Sequence, residues 1–227
     1  ERELLGIYMS GHPLTQYAPV LKRYQQATIE QLGSMDDHAQ TRIGGIISTV
    51  TRRVTKASKE SMAILLLEDL DGYTEVLVFP EAFQKFGVHI HEDAAVLVCG
   101  EVSRREEVPK MIASEIYPLA DAPRYFATKL SIHLPASHMA DRLPRVRDLV
   151  KTHPGDTPVI ICLQFATGEK VFLDTDPTFK VLAEESLVHE LQQELGEDSV
   201  YVATNPKPCL RETSGRNGRG RWNKNGR

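Results

Sequence analysis

Two runs rich in strand-forming residues stand back to back in the first half of the chain. They are Met62-Ala-Ile-Leu-Leu-Leu67 and Tyr73-Thr-Glu-Val-Leu-Val-Phe79, on either side of Asp71-Gly72. Asp-Gly between such runs predicts a hairpin. In the second run Thr74, Val76 and Val78 share one face, and Tyr73, Glu75, Leu77 and Phe79 the other, because side chains alternate along a strand. A longer strand is predicted over Thr41 to Thr55, with Gly44-Gly45 where it must bend. Pro80 to Phe86 is a predicted helix, since proline suits a first helical turn. Ala95 to Arg104 and Lys110 to Tyr117 follow as strands around a turn at Glu106-Glu107.

Five strands with one short helix between the third and fourth is the order of an OB-fold β-barrel, a fold that often grips single-stranded nucleic acid. Before it, Tyr17, Val20, Leu21 and Tyr24 recur at helical spacing, and Thr28 with Gln31 fits a capping pair. After it, Lys129 to Leu134 is a predicted strand. Met139, Leu143, Val146, Leu149 and Val150 mark a helix that Pro144 kinks or starts late, and His153-Pro-Gly-Asp156 stops it. Val159 to Phe165 and Lys170 to Leu173 form a hairpin around Thr167-Gly168. Leu187, Val188, Leu191 and Leu195 mark a second helix capped by Gly196, and Val200 to Val202 is a last strand. The expected chain is α+β: a helical lead-in over 1–40, an OB-fold domain over 41–118, a linker over 119–127, a small α+β domain over 128–204, and a disordered basic tail over 205–227.

Charge sharpens this division. The 227 residues carry a formal charge of −4, but Arg211 to Arg227 holds six basic residues and one acidic, a net of +5. The rest therefore carries −9, so nucleic-acid binding requires a local cationic patch. Arg52, Arg53, Lys56 and Lys59 supply one, at the end of the first strand and in the turn to the second. Its plainer reading is a solvated cationic hairpin. Tyr73, and less so Phe79, are candidates for stacking on bases, against ordinary strand packing. Arg104, Arg105 and Lys110 flank the turn between strands four and five, where Glu101, Glu106 and Glu107 oppose them.

Other chemistries find less support. Asp69, Asp71 and Glu75 suggest metal-dependent catalysis, but the turn already explains Asp71-Gly72. His89, His91 and Glu92 have ligand chemistry without a fourth partner. Cys99, Cys162 and Cys209 are far apart and odd in number, so neither a disulfide framework nor a zinc knuckle is indicated, and a reducing cytoplasm is expected. No run approaches the ~18 apolar residues of a membrane span. The chain begins with Glu1 rather than Met and is expected to be a piece of a longer polypeptide.

Several motifs in order resemble one family. They are Glu3-Leu-Leu-Gly-Ile-Tyr-Met-Ser-Gly-His-Pro-Leu14, Gly45-Ile-Ile, Arg52-Arg-Val-Thr-Lys56, Leu67-Glu-Asp-Leu-Asp-Gly72, Glu75-Val-Leu-Val-Phe-Pro80 and His153-Pro-Gly-Asp-Thr-Pro-Val159. Together they resemble the C-terminal third of bacterial DNA polymerase III alpha subunits, the C-family replicative polymerases. The resemblance covers residues 1 to about 200 in register. It departs at Ala57-Ser-Lys-Glu60, where the family often has a shorter, Gly-containing basic turn, and in the Gly/Arg/Asn tail.

The resemblance implies a non-catalytic part of a DNA-directed DNA polymerase, with the palm and its Mg²⁺-binding aspartates upstream and no cofactor in this chain. It implies an OB-fold that holds single-stranded template DNA, and a terminal domain that docks the tau subunit of the clamp loader. The tau contact is expected around Leu187, Val188, Leu191, Leu195 and Tyr201. The sliding clamp would be reached through a motif upstream of Glu1. From Thr128 to Thr204 seven cations face twelve acids, a charge suited to protein docking rather than to a phosphate backbone. Two alternatives stand beside this reading: a free-standing OB-fold nucleic-acid module of the anticodon-binding type, and a protein-interaction scaffold.

Overall fold

The computed structural model describes residues 13–55 and 59–210. The Leu4-Leu-Gly-Ile-Tyr8 motif and the basic segment from Arg211 onward lie outside them. A 3-10 turn at Pro13–Tyr17 leads into helix α1, Ala18–Tyr24, which buries Val20, Leu21 and Tyr24 against the first core. The Thr28 amide donates to Gln31 Oε1 at 2.9 Å, and the Gln31 amide to Thr28 Oγ1 at 3.4 Å. This reciprocal pair caps the 3-10 turn at Glu30–Ser34, as the spacing predicts.

Strands β1 (Gln40–Val54), β2 (Ser61–Glu68), β3 (Tyr73–Val78), β4 (Ala95–Ser103) and β5 (Lys110–Pro118) close into a barrel of order β1-β2-β3-β5-β4. Helix α2, Pro80–Phe86, follows β3. β1 serves two neighbours. It pairs with β4 from Gln40 to Ile46 and with β2 from Ile46 to Val54. Gly44-Gly45 sits at this changeover. A Cβ on Gly45 would stand 2.6 Å from the Glu68 carbonyl oxygen, so only glycine permits the approach. A register shift between Ile47 and Thr49 turns the strand again.

The β2–β3 hairpin forms where Asp-Gly predicts it, by a different device. Gly72 is not among the positive-φ glycines, so the turn is not the two-residue type that Asp-Gly favours. Instead Asp69 Oδ1 accepts the amides of Asp71 and Gly72, each at 2.9 Å. Asp69 Oδ2 accepts the Ile29 amide at 2.8 Å. One carboxylate thus shapes the turn and fastens it to the lead-in.

Residues 119–127 are not a loose linker. A 3-10 turn at Leu119–Asp121 and helix α3 at Ala122–Phe126 place Leu119, Ala122 and Phe126 fully inside the first core. The chain then enters a second sheet without a spacer. It comprises β6 (Ala127–Pro135), β7 (Pro154–Gln164), β8 (Lys170–Asp174), a two-residue β9 (Lys180–Val181) and β10 (Val200–Thr204). The order is β10-β6-β7-β8, with β9 on β7. Helices α4 (Met139–Thr152) and α5 (Glu185–Leu195) cover it around a core of its own.

Three details differ from the sequence expectation. α4 does not start late at Pro144; it runs from Met139 with Pro144 inside it. β7 begins at Pro154 rather than Val159, because Gly155 lets β9 approach: a Cβ there would lie 2.3 Å from the Leu182 nitrogen. Residues 205–210, expected in the disordered tail, return to the barrel. Cys209 is buried in the first core, and the Leu210 amide donates to Glu115 Oε2 at 2.8 Å.

Candidate nucleic-acid interface

Residues directly opposite on paired strands share a face. Thr49, Thr51 and Arg53 of β1 stand opposite Leu66, Ile64 and Met62 of β2. Ile64, Leu66 and Glu68 stand opposite Leu77, Glu75 and Tyr73 of β3, and Leu77 opposite Ile112 of β5. These side chains form the outer face of the barrel, while Ala63, Leu65, Leu67, Val76 and Val78 point inward and are buried. The outer face is a half-buried apolar stripe of Met62, Ile64, Leu66, Leu77 and Ile112. Sequence reasoning separated the two faces of β3 but did not carry the alternation to β2. That alternation, laid over the hairpin register, is the signal that finds the stripe.

The candidate residues gather at the two ends of this face. At one end is the β1–β2 turn with Arg52, Arg53 and Lys59, all exposed; Lys56 lies outside the described residues. The turn is held by Thr55, whose amide donates to the Glu60 carbonyl at 2.9 Å and whose carbonyl accepts the Lys59 amide at 3.2 Å. Lys59 adopts φ 58°. Arg53 lies on the stripe side with Thr51. Arg52 takes the other side of β1, opposite Ala63, so the two arginines project in opposite directions beyond the barrel rim.

Tyr73 stands at the other end, about 20 Å away along β2 at the usual strand rise. Its side chain is 71% exposed. Phe79 is half-buried. Beside Tyr73 lies the β4–β5 turn, fixed by Thr74 Oγ1 donating to the Pro109 carbonyl at 3.3 Å. The cations here are not equivalent. Lys110 Nζ is 2.7 Å from both Glu106 Oε2 and Glu75 Oε2. Those hydrogen bonds, Glu106 first, raise its pKa above the ordinary lysine value. Arg104 donates Nη1 to the carbonyls of Gly33 (3.0 Å) and Met35 (2.9 Å), and its amide to Asp37 Oδ1 at 2.8 Å. That amide is the chief cause of the lowered Asp37 pKa. Arg104, though exposed, is therefore a strut to the lead-in, and Arg105 is exposed beside it.

Asp69 and Glu75, considered as metal ligands, act as turn acceptor and lysine partner. His91 Nδ1 lies 3.0 Å from the Glu92 carbonyl. Among the described residues no cluster of three or more His, Cys, Asp or Glu side chains comes together. No helix among them is long and apolar enough to cross a membrane.

The expected partner contacts on α5 need correction. Leu187, Val188 and Leu191 are buried in the second core, and Leu195 packs against it. The resemblance offered them as contacts, but their helical periodicity is the signature of burial. Tyr201 is half exposed, with its ring 4.6 Å from that of His133. An open apolar groove of this unit lies instead between α4 and the sheet. It has a volume of about 360 Å³ and is lined by Met139, Leu143, Pro144, Val150, Ile161 and Phe179 among others.

Residues 41–119 match a family described as OB-fold nucleic acid binding domain. The DNA polymerase III subunit alpha of Mycobacterium tuberculosis (strain ATCC 25618 / H37Rv) is 32% identical over 200 residues, 86% of this chain and 17% of the relative. That of Saccharopolyspora erythraea is 34% identical over 205 residues, with the same coverage of 86% and 17%. The chain thus spans 17% of the length of these curated relatives. Among solved structures, a domain of replication protein A from Methanococcus maripaludis is 14% identical. It covers 38% of this chain and 90% of its own, with a TM-score of 0.33. The chain is homologous to the C-terminal region of the bacterial DNA polymerase III alpha subunits, with an OB-fold barrel at its centre.

Proposed function

We propose that this chain is a non-catalytic module of a cytoplasmic replicative DNA polymerase, and that its barrel holds single-stranded template DNA. The observation that carries the reading is the outer β1–β2–β3 face. It is an apolar stripe long enough for several nucleotides, with cations at one end and an exposed tyrosine at the other. Backbone phosphates would meet Arg53, Lys59 and, from the rim, Arg52; bases would lie on the stripe and stack on Tyr73. The turns at its two ends are the β1–β2 and β4–β5 loops that OB-folds use for ligands. The homology covers 86% of the chain and so extends beyond the barrel into the second sheet, which favours the polymerase reading over a free-standing anticodon-type module.

The second part of the proposal is protein docking by the terminal unit, with tau as partner by family resemblance. Its excess of acids over cations and the groove beside α4 support a protein partner. The buried α5 leucines shift the contact toward Met139, Leu143, Phe179 and the exposed Tyr201.

Two experiments test these parts separately. Fluorescence anisotropy with one oligonucleotide sequence as single-stranded DNA, single-stranded RNA and duplex DNA should give tightest binding to the DNA single strand. A duplex preference would remove the template role. Calorimetry with the tau C-terminal domain should give heat that Leu143→Asp abolishes. No heat at tens of micromolar would remove tau.

A further inference from the structure

Strand β8, Lys170-Val-Phe-Leu-Asp174, is the outermost strand of the second sheet. All five of its residues are exposed, Phe172 at 62%. The helices that cover the sheet leave even Val171 and Leu173 open, at 43% and 42%. Among the described residues no strand pairs with its outer edge. An apolar edge uncovered on both faces invites another strand.

Two properties of β8 select a second copy of this chain as that partner. The first is charge. In an antiparallel pair related by a two-fold axis at Phe172, Lys170 of each copy stands opposite Asp174 of the other. Phe172 meets Phe172 on the same face, and Val171 meets Leu173 on the opposite one. The segment is thus complementary to itself at every position, with two opposite-charge cross-strand pairs at the ends.

The second is hydrogen-bond phase. The Phe165 amide donates to the Glu169 carbonyl at 2.9 Å at the base of the β7–β8 hairpin. β7 pairs Leu163 with Val171 and Ile161 with Leu173. Backbone groups alternate sides along an antiparallel strand. Val171 and Leu173 therefore direct theirs to β7, and Lys170, Phe172 and Asp174 direct theirs outward. A two-fold axis through Phe172 needs that phase, because Phe172 must exchange both bonds with its mate.

We propose that the chain self-associates through β8, edge to edge and antiparallel about Phe172, joining the two terminal sheets into one. The contact is independent of the barrel face, so it operates whether or not the barrel binds template.

The test is a pair of charge-reversed variants of the full chain, Lys170→Asp and Asp174→Lys, in sedimentation velocity. The wild type should shift from monomer to dimer between about 5 and about 200 µM, the range for a small edge interface. Each single variant places like charges opposite each other twice and should associate about tenfold more weakly. When the two variants are mixed, a strand acidic at both ends meets one basic at both ends, and association should return. Recovery on mixing also shows that both variants are folded. A wild type that stays monomeric throughout overturns the proposal, as it would if β8 serves an extended segment of another protein. Single variants that associate like the wild type, or a mixture that stays monomeric, overturn it equally.

Discussion

The Arg42 guanidinium carbon lies 4.1 Å from the centroid of the Phe126 ring, although Arg42 is only 1% exposed. Among the described residues its hydrogen bonds go to backbone carbonyls. Nε donates to Tyr24, Nη1 to Lys207 (3.2 Å) and Pro208 (3.4 Å), and Nη2 to Asn205 (3.3 Å). One side chain on β1 thus joins the lead-in helix, the α3 turn and the segment returning after β10. Neighbouring bonds brace the same junction: Asn205 N–H to the Phe126 carbonyl at 2.8 Å, Gln26 Nε2 to the Pro206 carbonyl at 2.8 Å, and an ion pair between Arg23 and Glu185.

Replacing Arg42 with methionine keeps its bulk and strands those carbonyls. The expected loss is on the order of 3 kcal/mol, from buried acceptors left unpaired. Arg42→Lys should recover less than half of it, since a point donor cannot span the fork. Urea unfolding reads both values. A loss below about 1 kcal/mol would mean that water replaces the guanidinium at little cost.

Burial pushes the Cys209 thiol up to about 11 and Cys99 well above its ordinary value. A raised folded pKa favours the neutral thiol in the native state. Its contribution is fully present below the unfolded pKa near 9 and is lost as pH rises toward about 11. Thermal melts should therefore fall steeply between pH 9 and pH 11. Cys209→Ala should make that fall shallower, and an unchanged alkaline profile in the variant would contradict the buried placement of the thiol.

Lys110 and Arg104 read as groove cations in the sequence, but Lys110 is held by two carboxylates and Arg104 by backbone carbonyls. Lys110→Ala should change the Kd for single strands by less than about twofold, and Glu75→Gln should strengthen binding by removing an acidic charge from the face, with Lys110 still paired to Glu106. Arg104→Ala should lower the melting temperature more than it lowers affinity. Anisotropy and melts on the same variants separate the two roles. A tenfold loss from Lys110→Ala would place it on the ligand.

The strand order of the barrel was legible because each strand carries its own local signal and the turns carry theirs. Asp71-Gly72, Pro80 and Gly196 mark their elements almost to the residue. Segments that order through distant contacts were not legible. Residues 119–127 look like a linker because Pro123 and short helices give no periodicity, yet Leu119 and Phe126 are buried. Residues 205–210 look like tail, but the carbonyls that follow Thr204 are what Arg42 needs. An arginine in a strand pattern gives no hint of burial, since arginine is ordinarily exposed. The candidate face was half legible. Cation clustering located the β1–β2 end, but pairing with Glu75 and Glu106 depends on register, and so does the apolar stripe.

Salt dependence of single-strand binding tests the barrel-face account most directly. The chain ending at Leu210 removes the +5 segment that would otherwise mimic the effect. With three to five phosphates contacted, log K against log salt should have a slope of roughly −2 to −4 at ~0.7 per contact. Changing Arg52, Arg53, Lys56 and Lys59 together to alanine should flatten it by roughly 2 to 3, by the same count. Tyr73→Ala should weaken binding by about 1–3 kcal/mol without altering the slope. An unchanged slope and affinity in the quadruple variant would contradict the account and move the nucleic acid off this face.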